Sequence, residues 1–410
     1  MQVLLISKEG DGLGVACRLA QEGHTVDVWV KEPRFRRAGR GLVGRPSDWR
    51  PCLRRADLVV TDMVGSGKLA AEFERAGKPF IGANSTVDRI ELDRKLGMDM
   101  FDRAGISTPT SLSFPGPSKV ELPTPWGDGW VIKPSGNVST AKTMIVSEAE
   151  NWEHCLAKCP DGPLIVQRVV KGVEVSTEGW FNGKQFIRPF NHTFEEKRFL
   201  AGDLGVTTGC MGNVVVASDS NRLVRATVLR CEAFLRMVGY RGPFDINCIV
   251  DAEHAYALEA TGRMGYDAVE ALAELLDEPL GSFLFDVASG RSKTMALRGD
   301  YAIAVRLSVP PWPIQKPDET SYGEPILGLS AETLEHVFLT DVYKEGGKYF
   351  TAAGDGVLLK ATARSAYLAG AQKKVYALLD GIAVSGKQYR VDIGDRVKED
   401  QAKLERWGWM

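Results

Sequence analysis

The first eighty or so residues alternate short β-branched runs with helical patterns, and this alternation constrains the fold more than any other feature. The runs are VLLI at 3–6, VDVWV at 26–30, DLVVTD at 57–62 and PFIGA at 79–83. Strands separated by helices pair in parallel, because a parallel connection needs a crossover of a dozen or more residues. A small parallel α/β unit is therefore expected at the N-terminus. Its first turn, GDGLG at 10–14, has two readings: a tight βα turn needs glycine for backbone reasons alone, and the start of the next helix also suits a phosphate. A dinucleotide oxidoreductase rests on this turn only.

The pattern then changes. A helix is expected over 84–104, capped by Asn84 and Ser85 and stopped by Gly105, and a Pro/Gly/Ser-rich connection follows at 105–129. The strand runs WVIKP, TMIVS, LIVQRVV and VEVSTEGWF, with one helix at 148–158, predict an antiparallel α+β unit. A Gly-rich segment at 202–213, a helix at 219–238 and a hairpin pairing FDINCIVD with AYALEA come next. The last third predicts a helix at 266–276, strands YAIAVRLSV and GVLLKATA, a helix at 365–380 and a polar end.

Composition removes several classes of function. The 51 Lys+Arg and 53 Asp+Glu give a net charge of −2, which excludes a globally basic nucleic-acid binder but not a local patch. Such a patch lies at 31–55, where Lys31, Arg34, Arg36, Arg37, Arg40, Arg45, Arg50, Arg54 and Arg55 stand against Glu32 and Asp48, interleaved with Phe35 and Trp49. It is either a solvated loop or a guide for a phosphate-bearing partner. Every apolar run is too short to span a membrane or to serve as a secretory signal. The 7 cysteines include no C-x-x-C pair, so they are expected to be reduced thiols in a cytoplasmic protein.

Three constellations carry chemistry. Strand VIKP brings Lys133 to a small-residue loop that returns with Lys142, a lid whose ammonium and backbone N–H groups suit a polyphosphate. Gln167 and Glu174 follow on a strand-turn-strand, where an amide suits a nucleobase amino group and a carboxylate suits ribose hydroxyls. In the later hairpin, Asp245 and Asn247 share one face by the period-2 rule, as do Glu259 and Thr261. Such oxygen donors suit Mg²⁺, which takes one or two carboxylates with phosphates and water. Arg263, just past the strand, suits the charge of a transferring phosphoryl group.

In this order the pieces resemble the ATP-grasp ligases, and the chain as a whole is similar to the phosphoribosylamine–glycine ligase family. GANSTVDRIELDRKLGMDMFDRAGISTP (82–109) looks like that family's helix before the ATP site, with Lys95 in the place of its phosphate-binding lysine. VIKPSGNVSTAK resembles VIKADGLAAGKG, KRFLAGDLGVTTGCMG (197–212) resembles KR...GDxGPNTGGMG, ALEATGRMG resembles IEFNARFG, and QYRVDIGDRV looks like YRRDIGWRA. The chain departs from the pattern in places. Thr261 stands for an Asn, Gln167 for a Glu, RMGYDAVE for R-F-G-D-P-E, and KEGDGLGVA for the G-N-G-G-R-E-H turn thought to meet a ribose phosphate.

The resemblance implies an ATP-grasp fold of α/β and α+β parts: an N-terminal Rossmann-like domain (1–104), a lid subdomain with linker (105–188), a core with the metal-binding hairpin (189–298) and a small C-terminal α+β domain (299–410). Lys95, Lys133 and Lys142 would hold ATP phosphates, Gln167 and Glu174 adenosine, and Glu259 with Asn247, Thr261 or Asp245 the Mg²⁺ or Mn²⁺. Lys197, Arg198, Asp203, Thr208 and Gly209 would line the acceptor side, with Arg263 as the catalytic cation. The implied activity is ATP-dependent amide formation through an acyl phosphate, releasing ADP and phosphate, in a cytoplasmic monomer or dimer acting on small molecules. Glycine with phosphoribosylamine is one substrate pair. An amino acid with another amine, such as a modified nucleotide or DNA base, is a second reading, and a non-catalytic nucleotide-binding regulator a third.

Overall fold

The computed structural model describes residues 1–121, 123–136, 143–265, 267–314 and 321–410. At the N-terminus, Gln2–Ser7, Thr25–Val30, Leu58–Thr61 and Phe80–Ile81 form a four-stranded parallel sheet with Gln2–Ser7 between Thr25–Val30 and Leu58–Thr61. Both faces are buried: Val3 and Leu5 enter one apolar cluster, Leu4 and Ile6 another. Continuous apolar runs in this segment are explained by that two-sided burial.

Where one helix is expected over 84–104, there are two, Ser85–Leu92 and Arg94–Arg103. Asp93 divides them. Its backbone is extended, at φ −101 and ψ 102, and its carboxylate accepts from the N–H groups of Lys95 and Leu96, so it acts as an N-cap rather than a mid-helix residue.

A small antiparallel sheet follows, ordered Ser111–Phe114, Leu164–Arg168, Trp130–Pro134, Met144–Val146. Trp130, Ile132, Val146, Leu164 and Val166 point to one face and pack with Trp152 and Leu156. Alternation turns Val131, Lys133 and Gln167 to the other face, with Val131 opposite Gln167 and Lys133 opposite Ile165.

The largest sheet has eight strands, in the order Ala255–Thr261, Gly242–Val250, Val173–Phe181, Phe186–Leu200, Leu204–Ser218, Tyr301–Ser308, Val357–Ser365, Val337–Leu339. Residues on both sides of 188 and of 298 share it. The segment 202–213, expected as a Gly-rich loop, is largely strand, because it runs into Val214, Val215 and Val216 and pairs back onto Phe186–Leu200. One face of the sheet is core, with Val175, Phe190, Phe194, Phe244, Ile246, Ile303 and Leu359 buried together. On the opposite face, Val215, Ala302 and Ala304 pack with Ala268, Ala271 and Leu275, while the strands 255–261, 242–250, 173–181 and 186–200 turn a polar patch outward that carries the site.

The expected helix at 219–238 is interrupted at Thr227, whose φ −121 and ψ −103 are not helical, giving Arg222–Ala226 and Glu232–Met237. The polar end of the chain is a helix, Val397–Arg406, with Glu399 and Asp400 in its first turn and Lys403 and Arg406 in its last. Among the described residues, no helix is long and apolar enough to cross a membrane. All seven cysteines are free thiols.

Candidate active site

The polar face of the large sheet assembles by register. Asn247 lies opposite both Ser176 and Glu259, and Asp245 opposite both Glu178 and Thr261. Glu178 faces Asn191, and Glu195 faces Asn213 on the next strands. Directly opposed residues in an antiparallel ladder sit about 4.5–5.5 Å apart at Cα, so these carboxylates and amides form one continuous patch.

Three cations from distant parts of the chain meet that patch. Arg94 Nη1 donates to Glu259 Oε2 at 2.5 Å. Lys197 Nζ donates to Glu174 Oε1 at 2.6 Å and lies 3.6 Å from Glu195 Oε2. Lys133 reaches the same place from the small sheet and feels the charges of Glu259, Arg94, Lys197 and Glu174. Burial pushes its ammonium down to about 8, with Arg94 and Lys197 adding to the shift and the two glutamates opposing it. Burial also opposes the charge on Glu259, but Arg94, Lys133 and Lys197 outweigh it and hold the carboxyl at about 2. Glu259 is thus a fixed anion at the junction of the two sheets. Burial first, then Glu178, Glu195 and Glu259, raise Asp245 well above the carboxylate range, and burial lifts Glu178 to about 7.

The donor set fits Mg²⁺. Among the described residues, no three His, Cys, Asp or Glu side chains converge as a complete cage. Glu259 instead stands across from Asn247, whose buried Oδ1 has no hydrogen-bond partner, and Asp245 Oδ1 is buried without one as well. An orphaned amide oxygen beside an ionised carboxylate suits a cation that takes its other ligands from phosphate and water. Thr261, opposite Asp245, lies on the same patch.

The other expected residues fall in different places. Gln167 is buried on the polar face of the small sheet; its amide donates to Ser111 Oγ at 2.9 Å while Oε1 has no partner, which leaves an acceptor for a nucleobase amino group. Arg263 Nη2 lies 2.8 Å from Glu91 Oε1, and the charge of Glu259 also acts on Glu91, so the guanidinium borders the cluster. Lys95 is a correction. Its side chain is 60% exposed and pairs with Asp99, whereas Arg94 is 16% exposed and enters the site. Because Asp93 caps the second helix, Arg94 becomes its first residue, and the ~100° step between neighbours turns Lys95 outward. Lys142 and the rest of its loop, 137–142, lie outside the described residues. Of the acceptor-side set, only Lys197 joins the cluster. Asp203 holds Arg390, Arg198 donates to the Gly205 carbonyl, Thr208 donates to the Lys197 carbonyl, and Gly209 is exposed.

The glycine turn is occupied from within. Gly12 N–H donates to Asp62 Oδ2 at 2.5 Å, Ser7 Oγ donates to the same oxygen at 2.7 Å, and a Cβ on Gly12 would stand 2.8 Å from it. A carboxylate of the protein takes the position a phosphate would need, which favours the backbone reading of GDGLG. The basic stretch is partly tied down as well. Arg34 pairs with Glu9 and Arg55 with Asp27, Arg45 donates to the Phe35 carbonyl, and Arg37 lies over Tyr322.

Sequence reasoning missed Arg94, Glu178 and Glu195. The signal for Arg94 was present, since an Asp three residues before an apolar turn is an N-cap that resets helical phase. Glu178 and Glu195 become legible only once strand register is known.

The architecture, a small antiparallel sheet and a large one whose polar faces share a charge cluster, with a parallel α/β unit before them, defines the class: this is an ATP-grasp fold. It matches the crystal structure of a phosphoribosylamine–glycine ligase from Thermotoga maritima with a TM-score of 0.75 at 21% identity, covering 96% of this chain and 100% of that one. The biotin carboxylase domain of Hydrogenobacter thermophilus 2-oxoglutarate carboxylase, solved with MgADP and bicarbonate, matches with a TM-score of 0.67 at 12% identity, covering 99% of this chain and 95% of that one. In sequence, the phosphoribosylamine–glycine ligase of Leifsonia xyli subsp. xyli is 26% identical over 350 residues, which is 80% of this chain and 81% of that protein. No protein-family model matches the chain. The chain has the ATP-grasp fold and is similar in sequence to the phosphoribosylamine–glycine ligases.

Proposed function

We propose that this protein is a cytoplasmic ATP-dependent carboxylate–amine ligase of the phosphoribosylamine–glycine ligase type. The observation that carries the reading is the meeting of Arg94, Lys133 and Lys197 around Glu259, from helix, small sheet and hairpin, in the cleft between the two sheets.

In water a carboxylate does not condense with an amine at a useful rate, because its oxygen is a poor leaving group. Phosphorylation solves this. A carboxylate oxygen of the substrate attacks the γ-phosphorus of ATP, the bond to the β-bridging oxygen breaks, and ADP leaves with the electron pair. The amine nitrogen then attacks the acyl carbon, phosphate departs, and the nitrogen loses a proton. Glu259 and Asn247 would hold a divalent cation such as Mg²⁺, which would supply charge neutralisation on the phosphates. Arg94 and Lys133 orient and neutralise the phosphate chain, Gln167 Oε1 accepts from the base, and Glu174, held by Lys197, lies where ribose hydroxyls need an acceptor. Closure of the small sheet over the large one excludes water from the acyl phosphate.

The test is ADP release, dependent on both glycine and phosphoribosylamine, with the amide identified by mass spectrometry. ATP turnover that ignores every acid and amine offered would sink the reading. A second reading, an amino acid joined to a different amine, is supported by Asp62 on the Gly12 N–H, where a ribose phosphate would otherwise bind. Turnover with glycine but not with phosphoribosylamine would select it.

A further inference from the structure

The long hairpin Phe186–Leu200/Leu204–Ser218 brings Lys197 to the cleft through an irregular stretch of the ladder. Glu196 pairs with Gly212 and Arg198 with Thr207, so residues 208–211 bulge out of the ladder and Lys197 stands opposite them. Bulges re-aim side chains, but they also interrupt the pairing that would hold them. The tip of this hairpin exposes Leu200, Leu204 and Val206, and packing does not fix it.

Inside the hairpin, Arg198 donates to the Gly205 carbonyl and Thr208 to the Lys197 carbonyl; the other anchors come from the far end of the chain. Arg390 is 3% exposed and makes a fork of contacts. Its Nε and Nη2 donate to the two oxygens of Asp392, each at 2.7 Å, and its Nη1 donates to the Arg198 carbonyl and to Asp203 Oδ1, each at 3.0 Å. Nη2 is also 3.5 Å from Glu196 Oε2. Asp392 Oδ2 accepts from Gly202 N–H at 2.8 Å, and Arg396 donates to Glu196 Oε1 at 2.8 Å and to the Glu195 carbonyl at 2.5 Å. The residues before and after Lys197 are therefore both gripped by 390–396, while Lys197 itself points the other way, onto Glu174 and Glu195.

We propose that Arg390 is a positioning residue for the ligase reaction: through Glu196, Arg198 and Asp203 it fixes the bulged hairpin so that the Lys197 ammonium stands over the cleft. This rests on the ligase reading of the site. A guanidinium is suited to the task because its planar fork satisfies several oxygens at once, which an ammonium does not.

Full-length Arg390→Gln, Arg390→Lys and the milder Asp203→Asn are compared with the parent in three measurements: ADP release with glycine and phosphoribosylamine, ATP affinity by equilibrium dialysis, and hydrogen exchange of backbone amides. Arg390→Gln is expected to lower kcat on the order of ten- to a hundred-fold, with Arg390→Lys and Asp203→Asn between it and the parent. ATP affinity falls by a smaller factor than kcat, because Lys197 also holds Glu174 at the ribose position, and exchange accelerates only across 196–212. In a Lys197→Met background, Arg390→Gln adds no further loss, because its effect runs through that lysine. An equal loss in both backgrounds, or unchanged exchange across 196–212, overturns the proposal. Should the parent release no ADP with this substrate pair, the ligase reading fails on its substrates, and the exchange measurement alone decides whether the hairpin is clamped.

Discussion

Lys133 holds a buried ammonium that titrates near 8, well below an ordinary lysine. Between about 8 and 10.5 the unfolded chain binds a proton that the folded one has released, so this group's contribution to stability rises with pH across that window. Keeping it charged at neutral pH costs on the order of 3 kcal/mol, and arriving phosphates offset that cost. ATP affinity is expected to fall as pH rises past about 8, and Lys133→Met should weaken binding and abolish that dependence in a dialysis series from pH 7 to 9. The neighbouring pair Arg94 and Lys95 offers a sharper contrast. Arg94→Met should weaken ATP binding by about ten-fold or more, by losing a buried charge contact, while Lys95→Met, at an exposed i,i+4 pair, should change it by less than about two-fold. Equal effects would overturn the assignment of Arg94 to the site. Glu259→Ala removes the fixed anion around which the cations gather and should eliminate ADP release while circular dichroism stays that of the parent.

At the scale of elements, Asp93 links helix capping to function. Its carboxylate satisfies the N–H groups of Lys95 and Leu96, and so sets where the second helix begins and which way Arg94 faces. Asp93→Ala is expected to cost about 1 kcal/mol of stability by denaturant titration and to weaken ATP binding as well, whereas Asp93→Asn should retain most of both. Strand content was readable, since WVIKP, VEVSTEGWF, FDINCIVD, YAIAVRLSV and GVLLKATA all lie within or around observed strands. The strand nature of 204–218 was hidden by its glycines, because propensity scored residue by residue gives no weight to the partner strand. The helix Val397–Arg406 was hidden by its polarity; only Val397 and Leu404 are buried, too few for an apolar stripe.

At the scale of the whole molecule, the N-terminal unit shares an apolar cluster with the rest of the chain, in which Leu13, Val15 and Leu19 meet Leu272, Phe283 and Phe338, and a buried lysine of the large sheet reaches its glycine turn. Lys360 Nζ donates to Glu270 Oε1 at 2.8 Å and to the Asp11 carbonyl at 3.3 Å, and lies 3.6 Å from Asp267 Oδ1. Arg306 grips Asp267 through two hydrogen bonds, at 2.8 and 3.1 Å. Lys360→Met leaves Glu270 without its cation and is expected to destabilise the protein by about 3–5 kcal/mol, read from the denaturation midpoint. The same variant should loosen the glycine turn at Asp11, seen as faster exchange there and not in the small sheet.

By itself the sequence determined the parallel N-terminal unit, the antiparallel strands and the hairpin with its oxygen donors, because side-chain periodicity and turn chemistry are local properties. It also carried the ordered motifs that resemble the ATP-grasp ligases. Only the tertiary structure decided that Arg94 and not Lys95 meets Glu259, that Asp62 fills the glycine turn, and that 390–396 grips the hairpin bearing Lys197. These are contacts between residues far apart in the chain, fixed by register, helical phase and the packing of whole elements, and no pattern read along the sequence contains those distances.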